Sequence, residues 1–198
     1  MTRLRFGFVL VPLLMLSTAG LADYYEYVAP DLSPMYHSKA YTWGIDRTWS
    51  DLEVVQAATL YITGLRDSTY NDRLYISLLD EAPLGVTELD DPVSGNVDYF
   101  AGQGTLLLTL ANIPSYPATN IAYQLTADEI EALNSYASNW RFAVAFDPDC
   151  QYYTDCAIKL GVCTTAIPEP TAMAFLAVGG GLLALRRNRR NRKVAAVA

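Results

Sequence analysis

"NWRFAVAFDPDC", residues 139–150, alternates Trp140, Phe142, Val144 and Phe146 with Arg141, Ala143 and Ala145. Successive side chains of a strand point to opposite faces, so this period of two sets four large apolar groups on one side and predicts a β-strand against a core. The same pattern recurs outward along the chain. Ala58, Leu60 and Ile62 alternate with Thr59, Tyr61 and Thr63, and Leu74, Ile76 and Leu78 alternate with Tyr75, Ser77 and Leu79. "TLLLTLANI", residues 105–113, is apolar enough around Leu106 to Leu110 for a more buried strand, and Cys156, Ile158, Leu160 and Val162 trace a last one. The stretches "RDSTYND", "DEAPLG" and "DDPVSGN" supply turns between these runs. One helix interrupts them: Thr126 and Glu129 form a capping box ahead of Ile130 and Leu133, and the pattern ends near Asn139. Short strands in series with such turns predict a mainly β chain, an antiparallel β-sandwich of the jelly-roll kind with one short helix.

The 198 residues are about half apolar, enough for one domain with a sizeable core. Charge is unevenly distributed. Residues 23–166 carry six basic against twenty acidic residues, a net charge of −14, whereas Arg186, Arg187, Arg189, Arg190, Arg192 and Lys193 crowd the other end. An acidic domain repels nucleic acid, which requires a basic footprint, and suits a secreted protein that meets divalent cations or stays soluble by its charge.

The N-terminus reads as an export signal. Arg3 and Arg5 precede an apolar run from Phe6 to Leu16, and Gly20-Leu21-Ala22 places small residues where signal peptidase reads them, so cleavage is expected after Ala22. As a retained anchor the run is short for a bilayer of about 30 Å, and it contains Pro12. At the other end, residues 171–185 carry no charge and as a helix span about 22 Å, with Gly179, Gly180 and Gly181 each weakening it by about 1 kcal/mol. The basic cluster that follows stays on the cytoplasmic side. Pro168 and Pro170 cannot continue a helix out of the domain and force an extended spacer at the membrane surface.

Pro168-Glu169-Pro170, then a short Gly-containing apolar helix, then an Arg-rich end resembles the PEP-CTERM sorting signal of bacterial proteins handled by exosortase. The resemblance covers about the last thirty residues, and the extension 194–198 beyond the arginines departs from it. It implies a C-terminal transmembrane helix held in the inner membrane of a Gram-negative bacterium, processing by an exosortase-type enzyme near Pro-Glu-Pro, and delivery to the cell envelope or an extracellular polysaccharide matrix. The organisation expected is therefore a signal peptide at 1–22, an exported domain at 23–165, a sorting signal at 166–193 and a tail extension at 194–198.

Three cysteines fit an oxidising compartment. Cys150 and Cys156 flank "CQYYTDC" and are the candidate disulfide, worth about 2 kcal/mol for so short a loop; Cys163 is then free or the alternative partner of Cys150. Zinc is disfavoured because the one histidine, His37, is far from the cysteines in sequence.

Three acid-rich loops are candidate calcium ligands: Asp147, Asp149 and Asp155; Asp67, Asn71 and Asp72; and Asp90, Asp91, Asn96 and Asp98. Calcium takes six to eight oxygens, so one loop is too few and none has the EF-hand spacing; the competing reading is Asx-turns and solvated loop ends. The function expected is a non-enzymatic structural or surface role. The alternative is a calcium-dependent module binding extracellular polysaccharide, with Tyr24, Tyr25, Tyr27, Tyr152 and Tyr153 either stacking on sugars or half-buried. A small glycoside-active enzyme ranks below both. Two carboxylates among twenty could serve it, but the chain has no Gly-x-Ser-x-Gly, no His-Glu-x-x-His and no phosphate loop.

Overall fold

A computed structural model describes residues 22–67, 72–92, 97–149, 153–154 and 156–167. The expected signal helix, the Pro-Glu-Pro motif, the apolar tail and the basic cluster lie outside those residues. Among the described residues no helix is long and apolar enough to cross a membrane.

Within the described residues ten strands, one helix and a 3-10 turn follow in the order β1 (Ala22–Val28), β2 (Lys39–Asp46), β3 (Glu53–Asp67), β4 (Arg73–Leu79), β5 (Gly85–Asp90), β6 (Thr105–Ala111), β7 (Thr119–Gln124), α1 (Ala127–Tyr136), the turn Ala137–Asn139, β8 (Arg141–Asp149), β9 (Tyr153–Thr154) and β10 (Ala157–Ala166). They form two antiparallel sheets. One has the order β1-β10-β3-β7, with β9 added beside the end of β3; the other has the order β5-β2-β8-β4-β6. Leu60, Ile62, Leu160 and Val162 of the first sheet and Trp43, Ile76, Phe142, Val144 and Phe146 of the second belong to one buried apolar cluster. The strands around 58–63, 74–79 and 142–146 therefore stand where their alternation places them, because in each the apolar set faces this cluster. The run 105–111 is a strand but not the more buried one expected, since it forms the edge of its sheet with Leu107 buried and Leu106 49% exposed.

Trp49, 2% exposed, ties the sheets together at one end. Its ring lies 6.1 Å from Tyr25 and 5.8 Å from Phe142, and Tyr27 of β1 meets Phe142 of β8 edge-on at 6.1 Å. Such aromatic contacts add directionality to area burial. The helix is begun as its sequence dictates. Thr126 accepts the Glu129 N–H, the Glu129 carboxylate accepts the Thr126 N–H at 2.7 Å, and Leu133 is fully buried. The Asn134 amide then spans both backbone groups of Val55, accepting its N–H at 2.9 Å and donating to its carbonyl at 3.0 Å. Gly64 takes φ 81° at an irregularity between Ile62 and Leu65, a conformation that costs glycine nothing for want of a Cβ.

Some expectations are corrected. Trp140 does not share the face of Phe142. It closes the 3-10 turn at φ 74°, is 49% exposed, and carries the Arg47 guanidinium 3.9 Å over its ring. Tyr153 is fully buried, its backbone exchanging hydrogen bonds with Met35, so it is closed to a sugar. Asp147 and Asp149 stand in the last third of β8 rather than in a loop.

Candidate functional site

The acidic end of β8 is where the loops gather. Phe142, Val144 and Phe146 face the main core, while Ala143 and Ala145 enter a second buried cluster with Ala40, Leu79, Ala82 and Phe100. Asp147 and Asp149 continue that second face by parity. Pro148 is tolerated between them because the β2–β8 ladder stops at Tyr41 opposite Phe146, which leaves that edge of β8 without need of a proline N–H.

The segment after β5 folds over this face. Phe100 is 3% exposed, Tyr99 packs edge-on against it at 4.9 Å, and the Tyr99 N–H donates to Asp147 Oδ2 at 2.8 Å. Asp98 turns its own loop by accepting the Phe100 N–H at 2.9 Å, and the Asp91 N–H donates to the Ser38 carbonyl. The result is a fully buried Asp147 whose Oδ1 has no hydrogen-bond partner. Burial pushes its carboxyl up to about 7; the Tyr99 N–H opposes this, and the charges of Asp91, Asp98 and Asp149 reinforce it. Burial also raises Asp98.

Acids from two of the three loops thus converge, and the loop that reaches Asp147 is the one carrying Asp91 and Asp98. Asp72 precedes Arg73, the register partner of Asp149, and so borders the same end of β8, whereas Asp67 ends β3 in the other sheet, opposite Tyr153 of β9; each is buried. Arg73 is raised by its hydrogen bond to the Tyr75 hydroxyl first and by Asp149 among the weaker causes. Asp155, Asn71 and Cys150 lie outside the described residues. Cys156 sits half-buried just before β10, and Cys163 is a half-buried free thiol. Carboxylate oxygens are the donors a hard divalent cation prefers. In this conformation, however, no group of three or more His, Cys, Asp or Glu side chains among the described residues is arranged to hold a metal ion.

A second feature concerns the two ends at which processing is expected. Ala22 opens β1 directly opposite Thr165 of β10, and the Ile167 N–H donates to the Leu52 carbonyl at 2.6 Å. The expected cleavage position therefore lies about 5 Å across the ladder from Thr165, three residues before Pro168.

No family model matches the chain, and no curated protein matches it. Among solved structures it is similar to a recombinantly expressed latent aurone synthase (polyphenol oxidase), at TM-score 0.38 and 14% identity over 76% of this chain and 29% of that one. A family two carbohydrate esterase from Cellvibrio japonicus gives TM-score 0.26 and 8% identity over 75% of this chain and 37% of that one. The chain thus spans about a third of the length of each.

Proposed function

We propose that this chain is an exported protein of the cell envelope or extracellular matrix of a Gram-negative bacterium, with a structural, non-enzymatic role. Its two sheets form a jelly-roll-like β-sandwich sorted by the PEP-CTERM signal at Pro168-Glu169-Pro170. The observation that supports the reading is the pairing of Ala22 with Thr165. A domain carrying an apolar leader before β1 and an apolar, Arg-ended tail after β10 hangs from a membrane by one end of one sheet. Signal peptidase and an exosortase-type enzyme then work at neighbouring points, and the rest of the domain stays clear of the bilayer. Replacing Pro168, Glu169 and Pro170 by alanine and following the chain by pulse-labelling and fractionation tests it. The variant is expected to accumulate unprocessed in the inner membrane, and release at the native rate refutes the sorting reading.

The convergence at Asp147 favours a second reading, a calcium-dependent module for extracellular polysaccharide. Calcium neutralises Asp91, Asp98, Asp147 and Asp149 together and occupies the partnerless Oδ1 of Asp147. The calcium titration below tests it.

A further inference from the structure

On the sheet β1-β10-β3-β7 the core takes Leu60, Ile62, Leu160 and Val162, so Tyr61, Thr59, Lys159 and Gly161 face outward. No strand or helix among the described residues packs on that face; apart from its sheet neighbours, β3 meets only α1, whose Leu133 lies on the core side. Tyr24 of β1 leans across it. A Cβ at Gly161 would meet the Tyr24 hydroxyl at 2.5 Å and two ring carbons at 3.1 Å, so glycine is what lets this ring lie down on the sheet. The ring is nonetheless 57% exposed, its far side turned to solvent. Beside it the Lys159 ammonium pairs with Glu26 at 3.0 Å and sits 5.2 Å from the Tyr61 ring centroid. Tyr24 and Tyr61 lie opposite Cys163 and Lys159 respectively, offset by roughly 13 Å along β10 at about 3.3 Å per residue.

The charges select the partner. In the cross-strand rows through Gly161 and Lys159 the charged residues are Glu26 and Lys159, each compensating the other, and the remainder include Thr59, Gln124 and Ala122. On a domain of net charge −14 this is a neutral, flat strip with two aromatic rings and fixed hydrogen-bonding groups between them. An anionic polymer gains nothing here and is repelled by the rest of the surface. An uncharged pyranose chain matches it, because its sugar rings present flat C–H faces to tyrosine and its hydroxyls reach Glu26 and Lys159.

We infer that the outer face of this sheet binds an uncharged polysaccharide, stacked on Tyr24 and Tyr61 and hydrogen-bonded by the Glu26–Lys159 pair. The inference deepens the matrix reading and rests on it for its setting, but the face is on the opposite sheet from Asp147 and needs no calcium. Full-length protein is sedimented with microcrystalline cellulose and run in affinity gels containing laminarin or, as anionic control, alginate, all in chelator. Retention by a neutral glucan is expected and by alginate is not. Tyr24→Ala and Gly161→Ala each weaken it about tenfold, Tyr61→Ala does likewise, and Tyr24→Phe retains it with unfolding midpoints unchanged. No retention by either neutral glucan, retention of Tyr24→Ala and Tyr61→Ala at the native level, or preference for alginate overturns the inference. Export of the Tyr24→Ala protein is followed in parallel; it proceeds normally whether or not the glycan face fails, and its own failure counts against the matrix reading instead.

Discussion

Replacing Asp147 by asparagine tests the buried acid directly. The carboxyl is raised from 3.8 to about 7, chiefly by burial. Below about pH 4 the folded and unfolded chains both hold the proton, and the full stability of the neutral carboxyl is present. As pH rises toward 7 the unfolded chain releases its proton first, so stability is lost across this window and the loss is complete above it. Roughly three pH units at about 1.4 kcal/mol each set a ceiling of ~4 kcal/mol. Asp98 beside it is only half-buried, so solvent screening brings the expected loss to about 2 kcal/mol. The substituted amide keeps an oxygen for the Tyr99 N–H and carries no charge, so Asp147→Asn escapes the loss. The carboxyls of Glu26, Glu53 and Asp90 are shifted downward, and their contributions are lost only as pH falls below the ordinary carboxylate range, outside the window from pH 5 to 8. Guanidinium unfolding followed by the fluorescence of buried Trp43 and Trp49, in chelator at each pH, gives the comparison. Between pH 5 and 8 the native chain should lose about 1–2 kcal/mol relative to Asp147→Asn, within the ceiling set by its shift; parallel profiles refute the account of the cluster. Millimolar calcium at pH 8 restores the native chain and not the variant if the ion binds only the folded state. No shift in the native chain removes the calcium reading.

Trp49→Ala, which empties the space between Tyr25, Tyr27 and Phe142, should cost about 3–5 kcal/mol in chemical unfolding, and a loss below 1 kcal/mol would show that this contact does not join the sheets. Thr126→Ala removes one half of the capping box and should cost about 1 kcal/mol, with Glu129 still held by the Tyr123 hydroxyl at 2.8 Å; thermal melts read this, and an unchanged midpoint counts against the cap.

The parts legible in the sequence are those set by neighbours in the chain. A period of two needs only adjacent residues, and it locates β3, β4, β8 and β10; the capping box needs only Thr126 and Glu129, and it locates α1. The strands β1, β2, β5 and β7 carry weaker signals. In "DYYEYV" tyrosines occupy both faces, so alternation cannot tell the half-buried Tyr25 and Tyr27 from the exposed Tyr24. What separates them is the partner strand β10, which lies over 130 residues away in sequence. The same reason governs the sites. Composition made the domain acidic and put Asp91, Asp98 and Asp147 in turn-rich stretches, but their charges act on one another only because the segment after β5 folds over β8. Gly161 reads as a weak point in a strand until Tyr24 is seen lying on it. Local periodicity records which face of an element is apolar, whereas side-chain electrostatics and stacking depend on separations of a few ångströms between strands remote in sequence, and only the tertiary fold sets those.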